Sequence, residues 1–215
     1  MPDGLHSAAA PPLPLSQAEL MAHLGRWIGE PVLLEEHALL PGGAIQHNWL
    51  LDLRIGGAPR TVVLRASPAI PLPESRSKTF EFDILTRARG GGVNVAEPLW
   101  HDSDGGSGYF ISAFVAGNAD REALWKSPDN GALLADLGLE LAVIHAIEPS
   151  TGDHVETPRD RVGTLLNWTN GLGEVPSGVH AGLDWLIANA PAPSDSGLVH
   201  RDYRTGNFLV ASRHL

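Results

Sequence analysis

The stretch LVHRDYRTGNFLV, Leu198 to Val210, sets a histidine, an aspartate and an asparagine in a short polar loop between two apolar runs. Asp202 and Asn207 stand five residues apart in the pattern H-x-D-x-x-x-x-N, just before Phe208, Leu209 and Val210, which predict a strand. What lies upstream decides what this loop belongs to. Directly before it the periods are helical. Asp129 caps a predicted helix carrying Leu133, Leu137, Leu141 and Ile144 and closed by Pro149. DRVGTLLNWTNG and SGVHAGLDWLIANAP predict two more, each ended by Gly or Pro.

Farther upstream the period changes. PVLLEEHALLPGGAIQHNWLLDLRI and APRTVVLRAS flank Gly56 and Gly57 and predict successive antiparallel strands, and GYFISAFVAGN closes the strand-like half. One helix interrupts it, within SRSKTFEFDILTRARGGG, spaced through Phe80, Ile84 and Arg87 and ended by three glycines. Another precedes it: Ser16 and Glu19 form a capping box ahead of Leu20, Leu24, Trp27 and Ile28, and Gly29 and Pro31 stop it. Strands with one helix, a short apolar connector, then helices predict an α+β protein of two lobes with a cleft between them. The expected division is a flexible leader over 1–15, an N-lobe over 16–115 and a helical C-lobe over 116–215.

Composition narrows the function. The chain has 215 residues, 43% hydrophobic and 19% charged, as expected of a globular domain with a real core. Its net charge of -10 and lack of any basic run argue against a nucleic-acid or anionic-membrane partner. The absence of cysteine excludes disulfides, thiolate nucleophiles and thiolate-bound zinc. The N-terminus lacks the basic region of a secretion signal, and prolines interrupt its apolar stretch. A cytoplasmic location is the expectation.

The polar loop then acquires a chemical reading. In phosphoryl transfer a carboxylate orients the attacking hydroxyl and accepts its proton, and an amide oxygen five residues on reaches a metal ion bridging the nucleotide phosphates. Asp202 and Asn207 suit these tasks, and Arg204 between them can neutralise charge on the transferred group. Turn formation alone would also suit an Asp and an Asn here. Other parts appear in the order such chemistry needs. Arg65 ends a predicted strand, Glu81 follows sixteen residues later on the one helix of the strand-rich half, and PGGAIQHN supplies Gly42 and Gly43 in a turn where backbone N–H groups can approach phosphate.

These motifs together resemble the aminoglycoside phosphotransferase and choline kinase-like small-molecule kinases, including the phosphotransferase domains fused to some acyl-CoA dehydrogenases. The resemblance runs from about Leu39 onward. PGGAIQHNW is similar to the family's nucleotide loop, TVVLR to its phosphate-contacting strand, FEFDIL to its N-lobe helix, YFISAFVAG to its interlobe hinge, LAVIHAIEP to a recurrent helix end and VHRDYRTGN to its catalytic loop.

The resemblance implies a protein-kinase-like two-lobed fold that binds ATP and Mg2+ and phosphorylates a hydroxyl of a small molecule. It implies Asp202 as catalytic base, Asn207 as metal ligand, Arg65 as phosphate contact with Glu81 as its partner, and hinge backbone near Ala113 and Val115 reading the adenine edge. His200 buttresses the loop, and His145 packs in a helix. Two positions depart from the family pattern: Arg65 stands where many members have Lys, and Arg201 where Gly is frequent. Members also carry a metal-binding Asp on a following strand. None occurs within these residues, so a truncated C-lobe is expected, and a catalytically incomplete nucleotide-binding pseudokinase or scaffold is the alternative reading.

Overall fold

The chain turns back on itself at Gly56 and Gly57 in the computed structural model, which describes residues 12–40, 47–67, 75–101, 108–120, 122, 124, 126, 130–151, 153, 155–192 and 196–211. Both glycines have positive φ, 54° and 89°, the geometry of a two-residue primed turn that a Cβ would strain. The turn sets β2 (His47–Ile55) against β3 (Ala58–Ala66), with Ile55 opposite Ala58 and Trp49 opposite Leu64. β1 (Val32–Leu39), β4 (Pro98–His101) and β5 (Tyr109–Ala113) complete a five-stranded antiparallel sheet in the order β1-β2-β3-β5-β4.

Alternation along these strands gives the sheet two different faces. Trp49, Leu51, Leu53, Val62, Leu64, Ala66, Tyr109 and Ile111 form a buried apolar cluster, closed by Leu20 and Leu24 of α1 (Gln17–Ile28). Each such leucine contributes about 1.5–3 kcal/mol by leaving water. The capping box of Ser16 and Glu19 starts α1, and Gly29 at φ 78° ends it. On the opposite face, Asn48, Arg65, Phe110 and His101 stand in one row across β2, β3, β5 and β4. Over that row lies α2 (Lys78–Gly90), started by the Ser77 side chain, with the Phe82 ring edge-on to His101 and Phe110.

Three helices follow: α3 (Asn130–His145), α4 (Pro158–Gly171) and α5 (Ser177–Ala188). The chain forms two compact units, Met1–Val143 with His200–Leu215, and Ile144–Val199. In the second unit α4 packs on α5, and Thr157 with Asp160 forms a capping box that starts α4. In the first, the segment beginning at His200 returns to the connector after β5. Asn118 and Val210 exchange both backbone hydrogen bonds, 2.9 and 3.0 Å, in an isolated antiparallel bridge. The strand expected over Phe208–Val210 is therefore reduced to one paired residue, because no second stretch lies alongside it among the described residues. The expected Asp129 cap and most of the leader fall outside the described residues. No described helix is long and apolar enough to cross a membrane.

The bridge depends on Gly117. A Cβ there would sit 2.9 Å from the Leu209 Cβ, closer than real carbon contacts allow. Gly117→Val is expected to destabilise the chain by about 1–3 kcal/mol, as overpacking does. A urea midpoint unchanged by this substitution would show that the connector does not press on the loop.

Candidate functional site

The polar loop is held from inside and from α3. Arg201 has φ 68°, the only positive φ outside glycine among the described residues, a conformation that costs a residue with a Cβ about 1–2 kcal/mol. This is the position at which the resembling family often carries glycine, and the backbone geometry gives the reason. The Asp202 N–H donates to His200 Nδ1 at 3.4 Å, and the His200 ring packs edge-on against Tyr203. Tyr203 packs in turn near Phe208 and donates its hydroxyl to the Leu137 carbonyl of α3 at 3.0 Å.

Asp202 is the hub of the loop. Arg204 Nε donates to its Oδ1 at 2.8 Å, and Asn207 Nδ2 donates to its Oδ2 at 2.6 Å and to its backbone carbonyl at 2.9 Å. A carboxylate only accepts, so the Asn207 amide must turn its nitrogen inward, which leaves its oxygen for a cation. The bonds from Arg204 and then Asn207 hold the Asp202 carboxyl below the ordinary aspartate range. Both carboxylate oxygens keep a second lone pair, and the group is more than half exposed. Arg204 also donates to the Thr205 carbonyl at 3.4 Å.

Arg65 and Glu81 meet across the sheet–helix contact. Arg65 Nη2 lies 2.5 Å from Glu81 Oε1, and Lys78 Nζ lies 2.6 Å from Oε2. Burial pushes the Glu81 carboxyl up, but the adjacent Arg65 and Lys78 charges outweigh it and leave the group below the ordinary glutamate range. Burial pulls the Lys78 ammonium below the usual lysine range, against the pull of Glu81. Both cations lie over the buried Phe110 ring, Arg65 at 5.5 Å and Lys78 at 5.9 Å from its centroid.

The remaining expected contacts are unevenly placed. Gly42 and Gly43 lie outside the described residues. The Ala113 N–H donates to the Glu97 carbonyl at 2.8 Å, so this amide is spent within the sheet. Val115 is exposed, and its N–H has no hydrogen-bond partner among the described residues. No group of three or more His, Cys, Asp or Glu able to hold a metal occurs among the described residues. The Asn207 oxygen, supplemented by water and phosphate, fits a magnesium ion, which keeps much of its own hydration.

Two members of these clusters were not legible as such. Lys78 is a basic residue in the first turn of a helix, one turn from Glu81; that i,i+3 spacing was the available signal. Tyr203 reaches a carbonyl 66 residues away, a contact no local pattern announces.

Comparison with known proteins bears on most of the chain. The sequence model described as the phosphotransferase enzyme family, APH, matches residues 36–215. A solved structure, the gentamicin complex of APH(2″)-IIa, superposes with a TM-score of 0.57 at 15% identity, covering 95% of this chain and 68% of that one. At that identity the likeness speaks to the fold: a five-stranded antiparallel sheet followed by helices, as in kinase-like phosphotransferases. No curated protein matches.

Proposed function

Because the chain belongs to the phosphotransferase enzyme family, we propose that it transfers the γ-phosphoryl group of ATP to a hydroxyl of a small molecule. The observation that carries this reading is the Asp202 carboxylate, kept ionised by Arg204 and Asn207 while a lone pair on each oxygen stays open to an acceptor. In the proposed reaction the acceptor oxygen forms a bond to Pγ. The bond from Pγ to the β,γ-bridging oxygen breaks, and ADP leaves with that electron pair. The acceptor proton passes to Asp202 and then to solvent.

Arg65 donates to the phosphates with the N–H groups that Glu81 does not take, and the outer edge of Arg204 faces charge on the transferred group. Leu50 and Val63, opposite one another and half-buried on the Arg65 face of the sheet, give apolar surface for the purine. The Val115 N–H is open to the adenine edge. Magnesium, if held by the Asn207 oxygen with water and phosphate, would supply charge neutralisation on the β- and γ-phosphates. As an ATP consumer the protein is assigned to the cytoplasm.

The test is ADP release against a panel of hydroxyl acceptors that includes gentamicin and choline, with ATP binding measured separately by calorimetry. Acceptor-dependent ADP release is expected. ATP binding without turnover of any acceptor would favour the pseudokinase reading, and no ATP binding would end both.

The depressed Asp202 pKa sets a pH expectation. The active carboxylate is present above its folded pKa and is lost only as pH falls through it. The acid limb of kcat should therefore lie below the ordinary aspartate range. An acid limb near neutrality would assign the proton acceptor to another group.

A further inference from the structure

Lys78 is the one charged side chain of the Arg65–Glu81 cluster to which the proposed reaction gives no task. Its placement is unfavourable in two ways. It is the first residue of α2, where the helix dipole opposes a cation, and its side chain is only 4% exposed, so its ammonium is almost wholly desolvated. The cap of the helix is already supplied by Ser77.

The division of the Glu81 carboxylate gives the residue a purpose. A guanidinium beside a carboxylate tends to pair through two parallel N–H bonds, fork against fork. Here Lys78 holds Oε2 at 2.6 Å, and Arg65 has only Oε1, which it meets through Nη2 at 2.5 Å. Arg65 Nε is left without a hydrogen-bond partner. The pairing is thus single where a guanidinium could make it double; the unpartnered Nε is buried, and beyond the Nη2 bond to Glu81 the terminal nitrogens have no hydrogen-bond partner among the described residues.

We infer that Lys78 is a positioning residue for the nucleotide phosphates: by occupying Glu81 Oε2 it keeps Arg65 singly bonded to Oε1 and so leaves guanidinium donors for the phosphates. This rests on the proposed ATP reading of the site and gives a reason why arginine, with its fork, works at position 65. Without Lys78, Arg65 closes on both oxygens of Glu81 and withdraws donors from the ligand.

The experiment is a mutant cycle on the full chain, read by calorimetry with ATP and with adenosine, with thermal melts as a check on folding. Lys78→Met, close in length and uncharged, should weaken ATP binding about tenfold and leave adenosine binding within about twofold. Lys78→Gln, too short to hold Oε2, should do the same and serves if the Met variant does not fold. In a Glu81→Gln background, where there is no carboxylate for Arg65 to close on, the Lys78→Met effect on ATP should shrink to under about twofold. A tenfold loss that persists in that background would mean that Lys78 acts on the phosphates by its own charge, and would overturn the inference. Equal losses of ATP and adenosine, or no loss of either, would also overturn it. A wild-type chain that binds no ATP would remove the functional reading itself, a different failure from a wild-type chain that binds ATP and is indifferent to Lys78.

Discussion

Asp202→Asn is expected to lower the single-turnover rate about a thousandfold while ATP affinity stays within about twofold. The substitution keeps the shape of the side chain but replaces an acceptor for the substrate proton with an amide that cannot take one. The loop also changes. An asparagine at 202 has one oxygen where Arg204 Nε and Asn207 Nδ2 now find two, so one of those donors loses its partner. Both effects fall on the loop itself, and neither touches a hydrogen bond of Arg65. Rapid-quench measurement with a turned-over acceptor, beside ATP titration of the same variant, separates chemistry from binding. A rate within tenfold of wild type would show that Asp202 is not the proton acceptor, and a matching collapse of ATP affinity would show that it supports the nucleotide instead.

Arg65→Ala is expected to raise the Kd for ATP about 10–100-fold and to leave adenosine within about twofold, because only the phosphates feel the loss of a cation with several donors. The variant should still fold. Glu81, three-quarters or more shielded from solvent, keeps the Lys78 ammonium at 2.6 Å and is not stranded as an unpaired buried charge. Parallel titrations with ATP, ADP and adenosine should show the penalty growing with the number of phosphates. Equal losses across the three would make Arg65 a support of the sheet–helix contact and not a phosphate ligand.

Much of the fold was legible because its determinants are local. The Ser16 and Glu19 capping box and the antiparallel strands flanking Gly56 and Gly57 act within a few residues, and the structure carries each as read. The loop bonds among Asp202, Arg204 and Asn207 span at most five residues, but the spacing names the residues without fixing that Arg204 and Asn207 both donate to Asp202. Arg65 and Glu81 lie sixteen residues apart, and their meeting could be expected only through the order of motifs around them. The Phe208–Val210 segment shows where local reading fails. Its composition suits a strand, but a strand is a pairing, and among the described residues the Asn118 backbone is what pairs with it.

By itself, then, the sequence determined the α+β order of elements, the start and stop of most helices, the turn of the central hairpin and the residue types of the polar loop. Each follows from backbone stereochemistry and short-range hydrogen bonding, which depend on neighbours in the chain. The tertiary structure alone decided that Lys78 shares the Glu81 carboxylate with Arg65, that Tyr203 anchors the loop to the Leu137 carbonyl, and that the Ala113 N–H is spent on Glu97. These outcomes depend on which surfaces the sheet and helices bury against one another. The desolvation that makes a polar contact specific arises only when segments distant in the chain close over it.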